Sequence, residues 1–289
     1  MNRFSRDASP DAALMRSILQ RIATGPELSK DITREEARAG MQLVLEGRVD
    51  PVQAGIFLIA LRMKRETDEE NLGVLEAVRA AATRAAAAVD EVMDVADPYD
   101  GYARTLPAAP FLPAVLAACG LPAISHGVER MGPKYGITHR QVLRAAGAPV
   151  ELPVADAAAR VADPRIGWAY VDQRAFCPKL HDLARLRELI VKRPAITTVE
   201  VLAGPVRARR RTHLITGYVH KAYPRIYALL ARAAGFDSAL IVRGIEGGVI
   251  PSLRASGKAF CYHDLGPERE RDLAPADFGI EPLRGAPMP

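Results

Sequence analysis

The sequence is short of cysteines, aromatic residues and long apolar runs, and each shortage removes a class of protein. Its 289 residues include three cysteines, Cys119, Cys177 and Cys261, far apart, odd in number and in no Cys-x-x-Cys spacing. That argues against a disulfide framework or a cysteine zinc site and predicts a reducing compartment. No stretch approaches about eighteen uninterrupted apolar residues, so no transmembrane helix and no membrane partner are expected. Residues 1–10 carry Arg3, Arg6 and Asp7 with no apolar segment behind them, which predicts no signal peptide. A soluble cytoplasmic protein is the expectation. Aromatics make up only 6% of the chain, and alanine and leucine supply most of its apolar content, so helix should exceed strand.

What is present is ordinary for a globular protein, with 49% hydrophobic and 25% charged residues. The length allows one large domain or two modest ones. A net charge of +5, from 39 basic and 34 acidic residues, suits an anionic ligand without requiring one.

Residues 1–90 read as a small helical domain. Ser9-Pro10-Asp11 supplies a cap and an N1 proline ahead of Leu14, Ile18 and Ile22 on one face. Thr33 with Glu36 forms a capping box whose helix should stop at Gly47. Asp50-Pro51 opens a very apolar helix through Phe57 and Leu61, and Thr67 with Glu70 opens a fourth, running towards the tract 85–88. From Val92 the texture changes. Strand-like runs at 92–95, 123–125, 214–219 and 239–242 alternate with helical ones at 111–119, 138–146 and 224–234. Strand, helix and strand within about thirty residues is a βαβ unit, so residues 91–266 should form a mostly parallel sheet with helices on both faces. The segment 153–175 is expected to return to the helical domain, with Asp172 in a polar joining loop, and 267–289 to be an irregular tail.

Four expected strand ends carry polar chemistry. Asp97-Pro98-Tyr99-Asp100-Gly101 follows the first, and Ser125-His126-Gly127 the second, with Lys134 in the glycine-bearing loop beyond. His220-Lys221 follows the run 214–219, and Arg243-Gly244-Ile245-Glu246 follows 239–242. In a parallel sheet these ends share one edge, where ligands bind. Lys134, Lys221 and Arg243 would offer positive charge to a phosphate there, and His126 and Asp100 are the catalytic candidates. A glycine alone is also a plain turn residue, and a lone His126 or His220 is also a hydrogen-bonded structural histidine. Four ends together are what point to a pocket. Arg207, Arg209, Arg210 and Arg211, with Lys192 and Arg193 upstream, form the densest basic cluster. It is either a solvated loop or a contact with nucleic-acid phosphates, and no aromatic platform accompanies it.

In order and spacing, several of these segments resemble anthranilate phosphoribosyltransferase and the wider glycosyl transferase family 3. Ser125-His126-Gly127 is similar to that family's Lys-His-Gly-Asn segment, and Cys177-Pro178 through Leu189 to a helix ending in Val-Arg-x-x-Leu. Gly204-Pro205 is similar to a Leu-Gly-Pro-Leu turn, and Leu240 through Gly247 to Val-Val-His-Gly-x-x-Gly. The likeness runs from the tandem helices to about Leu253. It implies an α/β protein with a small helical domain hinged to a larger sheet domain, a homodimer formed through the helical domain, and a ligand contact at Arg187.

The departures are as informative. Where the family has Gly-Thr-Gly-Gly-Asp to cradle pyrophosphate, this chain runs Asp97 to Tyr102, in which proline removes an N–H donor and one glycine remains. Val128 replaces the asparagine after His-Gly, and Arg130 to Lys134 replaces a serine-rich stretch. Val249 and Ile250 follow Gly247 where an Asp-Glu pair should hold magnesium, so neither magnesium nor another cofactor is expected. Ordinary magnesium-dependent phosphoribosyl transfer, which needs that cation, is then not expected. In this the chain is similar to a branch of the family that has lost the same motifs and binds nucleic acid without transferase activity. The expected reading is a divergent scaffold binding a phosphorylated small molecule or nucleic acid at the sheet's C-terminal edge. The alternatives are an active transferase, with Lys134, Lys221 and Arg243 replacing the metal and Asp100 or His126 acting on the acceptor, and a structural or regulatory partner with no small ligand.

Overall fold

The computed structural model describes residues 9–25 and 27–281. They fall into two compact units: the chain up to Ala82 with Cys177–Ala203, and Thr83–Phe176 with the chain from Gly204 onward.

In the first unit, helices α1 (Pro10–Ile22), α2 (Arg34–Leu45), α3 (Pro51–Lys64) and α4 (Asp68–Ala81) begin where their capping residues require. Ser9 accepts from the Ala12 N–H and Asp50 from the Val52 N–H, while Thr33 with Glu36 and Thr67 with Glu70 form reciprocal boxes. Glu70 does more than cap. Fully buried, it also accepts from the Ile32 N–H at 2.9 Å and pairs with Lys64 at 2.8 Å, tying three helix ends together. α4 stops at Ala81 rather than running into the alanine tract, because Ala85 and Ala86 are drawn into a short parallel pairing with Val206 and Arg207 in the second unit.

The segment that returns to this unit is Cys177–Ala203, not 153–175. Arg62 donates to the Thr198 hydroxyl at 2.8 Å, and Arg79 donates to the carbonyls of Leu202 and Ala203. Helix α3 is apolar on two sides. Phe57, Leu58 and Leu61 are buried, while Val52, Ile56 and Met63 are exposed and, being four and seven residues apart, lie on one line.

The second unit is built on a seven-stranded sheet in the order β4-β3-β2-β6-β7-β8-β9. Here β1 (Ala85–Ala86) and β5 (Val206–Arg207) form the separate small pair, and the sheet contains β2 (Glu91–Ala96), β3 (Ala123–Gly127), β4 (Trp168–Asp172), β6 (Arg211–Gly217), β7 (Ser238–Val242), β8 (Gly257–Tyr262) and β9 (Arg269–Leu273). The first five in spatial order are parallel, and β8 and β9 add antiparallel at one edge. The connections carry helices α5 (Leu112–Ala118), α6 (His139–Ala145), α7 (Val154–Ala162) and a helix at Tyr223–Ala233. Fold class is therefore α/β, a helical unit with a larger, mostly parallel sheet unit.

Two expectations change here. Tyr170 to Asp172 is not a loop but the buried end of β4, paired with β3, which keeps 154–172 in the sheet unit. The tail is not wholly irregular, since 269–273 pairs with β8; its charged side chains suit an exposed edge. Residues 282–289 lie outside the described part, as do Arg3, Arg6 and Asp7. Among the described residues, no helix is long and apolar enough to cross a membrane.

Contact between α2 and α4 sets a size limit at Gly73. A Cβ there would overlap the Arg34 carbonyl oxygen and lie 2.9 Å from the Ala37 Cβ. Gly73→Ala should therefore cost about 1–3 kcal/mol by overpacking, read as a lower urea midpoint. An unchanged midpoint would contradict so close an approach.

Candidate functional site

Strand order reverses between β2 and β6, and in an open α/β sheet the crevice beyond their carboxyl ends is the ordinary place for a ligand. In this protein the turn after β7 packs into it. A Cβ on Gly217, at the end of β6, would collide with the carbonyl oxygens of Gly247 and Gly248; one on Gly248 would collide with the Tyr102 hydroxyl. Glycine is needed at both because the chain's own backbone comes so near.

Asp97 holds this packing together. Its Oδ1 accepts from the Tyr102 hydroxyl at 3.0 Å and the Val249 N–H at 2.9 Å, and its Oδ2 faces His139 Nε2 at 3.0 Å. The loop after β2, the start of α6 and the turn after β7 thus meet on one buried carboxylate. Burial, and then the charge of Asp97, push the Tyr102 pKa far above its ordinary value, so the phenol stays a donor. The sequence places Asp97 among the polar residues after the first strand without a role of its own, and His139 is not singled out there. The local signal for His139 is its place directly after Thr138, which caps α6 in a box with Gln141.

His126 belongs to a second buried group. Its Nε2 lies 2.9 Å from Asp94 Oδ1, its Nδ1 meets the Tyr99 hydroxyl, and its ring packs edge-on against Tyr99 and Phe176. The side chain has no solvent exposure. With both ring nitrogens engaged, His126 links β2 to β3 and does not face a ligand, which corrects its assignment as a catalytic candidate. Tyr99 is consumed in the same link. Ser125 is fully buried, and its hydroxyl has no hydrogen-bond partner among the described residues. Gly127 lies beside the rings of Tyr99 and Tyr170.

A third group is accessible. The Glu246 carboxylate receives the N–H groups of Ala103 (3.0 Å) and Arg104 (2.8 Å), the Thr105 hydroxyl (3.1 Å) and the Lys134 ammonium (3.2 Å). Lys134 also lies 3.8 Å from Asp100 and over the Tyr102 ring. Desolvation raises the Glu246 pKa, but the two amides and Lys134 outweigh it and hold the value at about 2. Loops following β2, β3 and β7 converge here on a single anion. Of the residues expected at the edge, the structure brings Lys134, Asp100 and Glu246 together, with Gly101 at the base of the same loop.

It does not bring the rest into one electropositive pocket. His220 and Lys221 are exposed beyond β6, the histidine ring beside Tyr223 of the following helix. Arg243 is exposed alongside Gly257 of β8, and Gly244 bridges to Pro251. Arg187, in the helical unit, is buried with its two terminal nitrogens on Glu200 at 2.6 and 2.8 Å, so its fork is already filled. Within the basic run, Arg207 stacks on Phe236 and donates to the carbonyls of Ala234 and Gly235 at a helix end. Arg211 pairs with Glu91 and Asp264, and Arg210 lies 3.7 Å from Asp90. Only Arg209 and Arg210 of the run are well exposed, and they precede β6 at the amino edge of the sheet, opposite the candidate site. Lys192 and Arg193 are exposed in the other unit.

The donor set does not fit a magnesium ion. Val249 is buried with Val95, Tyr102 and Ala109, and Ile250 packs against that cluster. The nearby carboxylates of Asp97 and Glu246 already hold protein donors, and among the described residues no group of three His, Cys, Asp or Glu side chains could hold a metal. A hard cation needs more oxygen ligands than this.

Residues 16–82 match the glycosyl transferase family, helical bundle domain. An uncharacterized protein of Aquifex aeolicus is 28% identical over 225 residues, 77% of this chain and 65% of that protein. Anthranilate phosphoribosyltransferase of Methylocella silvestris is 27% identical over 268 residues, 92% of this chain and 73% of that enzyme. Among solved structures, anthranilate phosphoribosyltransferase from Thermus thermophilus superimposes with a TM-score of 0.70 at 18% identity, covering 93% of this chain and 75% of that one. The Saccharomyces cerevisiae enzyme in complex with PRPP and Mg gives 0.72 at 16% identity, with the same two coverages. At such identities the structural likeness shows the fold.

The cradle around Glu246 has a pH signature. Because its pKa is depressed in the folded state, its contribution is fully present above the ordinary glutamate value of 4.5 and is lost as pH falls towards about 2. Glu246→Gln should lower stability near neutral pH, and its deficit relative to the wild type should shrink across that acid window in urea titrations. A deficit independent of pH would mean the carboxylate is not held as an ion.

Proposed function

We propose that this chain, an anthranilate phosphoribosyltransferase-like protein of glycosyl transferase family 3, binds a phosphorylated small molecule at the carboxyl edge of its sheet without ordinary magnesium-dependent phosphoribosyl transfer. One observation carries the reading: two loop amides, a hydroxyl and an ammonium from separate strand ends converge on one anion at hydrogen-bond distance. Backbone N–H groups aimed at a point, with a lysine beside them, form the kind of concavity that takes phosphoryl oxygens. The second support is donor chemistry, since Val249 and Ile250 offer no oxygen to a metal bridging such a ligand. The yeast enzyme was solved with PRPP and Mg; the donors around Glu246 suit the phosphate part of such a ligand by their chemistry.

Thermal unfolding tests this. Pyrophosphate or phosphoribosyl pyrophosphate in chelator should raise the Tm by a few degrees, corresponding to about 1.4 kcal/mol at ten times Kd. Lys134→Ala should remove most of the shift. Stabilisation that requires magnesium, or none by any phosphate compound, would overturn the proposal. Stabilisation by short DNA alone, weakened by salt and by Arg209→Ala with Arg210→Ala, would favour nucleic acid in its place.

We also infer self-association through the helical unit, supported by the exposed line of Val52, Ile56 and Met63 on α3, which spans roughly 16 Å of helix. Sedimentation equilibrium should give a dimer for the wild type and a monomer for Val52→Glu with Met63→Glu. A monomeric wild type would end that inference.

A further inference from the structure

The cradle described above is already filled by a side chain of the same protein. Each Glu246 oxygen has two donors: Oε1 takes the Arg104 amide and the Thr105 hydroxyl, and Oε2 takes the Ala103 amide and Lys134. Neither amide belongs to a helix or strand, so no fold-building hydrogen bond claims them. Residues 103 and 104 are exposed, and the Glu246 side chain keeps 11% of its surface in solvent. The carboxylate therefore has a route out, and a ligand has a route in. Glu246 also sits at φ +53, ψ 19, a left-handed conformation that is strained for a non-glycine residue. Glycine or asparagine would take that position more easily, and either would forfeit a charged side chain long enough to reach across from the end of β7 to the loop after β2.

We propose that Glu246 is a built-in occupant of the anion site formed by residues 103–105 and Lys134, so that a phosphoryl anion binds there by displacing it. The inference rests on the anion-binding reading above and adds a gate to it. Two anions cannot share four donors, because the second would find the amides taken and a negative charge within contact distance. Displacement also severs the hydrogen bonds by which Ala103, Arg104 and Thr105 hold the turn after β7. Asp97 continues to hold Tyr102 and Val249 when that happens, so the change is confined to the outer loop. Ligand entry is thereby coupled to release of 103–105 from the turn.

Isothermal titration of the full chain with pyrophosphate in chelator, at fixed ionic strength, tests the gate. Glu246→Ala should bind at least tenfold more tightly than the wild type, Glu246→Gln should fall between them, and adding Lys134→Ala to Glu246→Ala should cancel the gain. Amide resonances of Ala103 and Arg104 should shift when the isotopically labelled wild type is titrated to saturation, which keeps the test independent of how well the variants fold. If the wild type binds and the Glu246 variants bind no better, or those two amides do not respond at saturation, the gate is wrong while the binding reading stands. If no form binds, the binding reading fails and takes the gate with it.

Discussion

Asp97 is buried at the end of β2, where a carboxylate has to be surrounded by donors, and that requirement organises the carboxyl edge of the sheet. Its partners come from three places: Tyr102 in its own loop, His139 at the start of α6 and the Val249 amide in the turn after β7. To satisfy one anion, the chain brings together segments separated by as many as 152 residues. Tyr102 is fixed as a donor by its own burial and by Asp97, and it packs with Val95, Ala109 and Val249 in the cluster beneath. The polar contact and the apolar cluster share Tyr102 and Val249, so each fixes residues of the other.

A consequence is that the crevice at the reversal of strand order is taken up by backbone. Gly217 and Gly248 let two chain segments meet at a distance no side chain would permit. With that space closed, accessible polar chemistry moves outward to the loop 103–105, where amides free of any ladder meet Lys134 and Glu246. The Asp94–His126–Tyr99 group lies deeper and is satisfied among its own members apart from one carboxylate oxygen. Two histidines, His126 and His139, are each aligned by an aspartate, an arrangement often associated with catalysis. Burial is what separates the two cases: a histidine without exposure and with both nitrogens occupied is a strut.

Much of the fold was legible because its determinants are local. Capping residues at Ser9, Thr33, Asp50 and Thr67 act within one helical turn, and each opened a helix where it stands. Four of the five parallel strands, β2, β3, β6 and β7, were readable from short apolar runs ending in glycine or a polar cluster. The returning segment was misread because the stretch 154–172 contains an amphipathic helix and a buried strand, and nothing in those residues says which layer they cover. The arginines were the least readable. Arg187 and Arg207 look like ligand groups in a linear chain, yet one has its fork on Glu200 and the other caps a helix end against Phe236. A cation declares its charge in sequence but not its partner.

The amino-acid sequence by itself determined the helix starts, the βαβ alternation, the clustering of polar residues at strand ends and the lack of oxygen donors at positions 249 and 250, because each follows from residues within a few positions of one another. Tertiary structure alone decided which charge meets which. Glu246 met Lys134 and two amides more than 100 residues away, Asp97 gathered three loops, and Lys221 and Arg243 were left apart in solvent. Coulombic and hydrogen-bond partners are set by distance in space, and in a parallel sheet that distance is fixed only once strand order and the paths of the intervening loops are known.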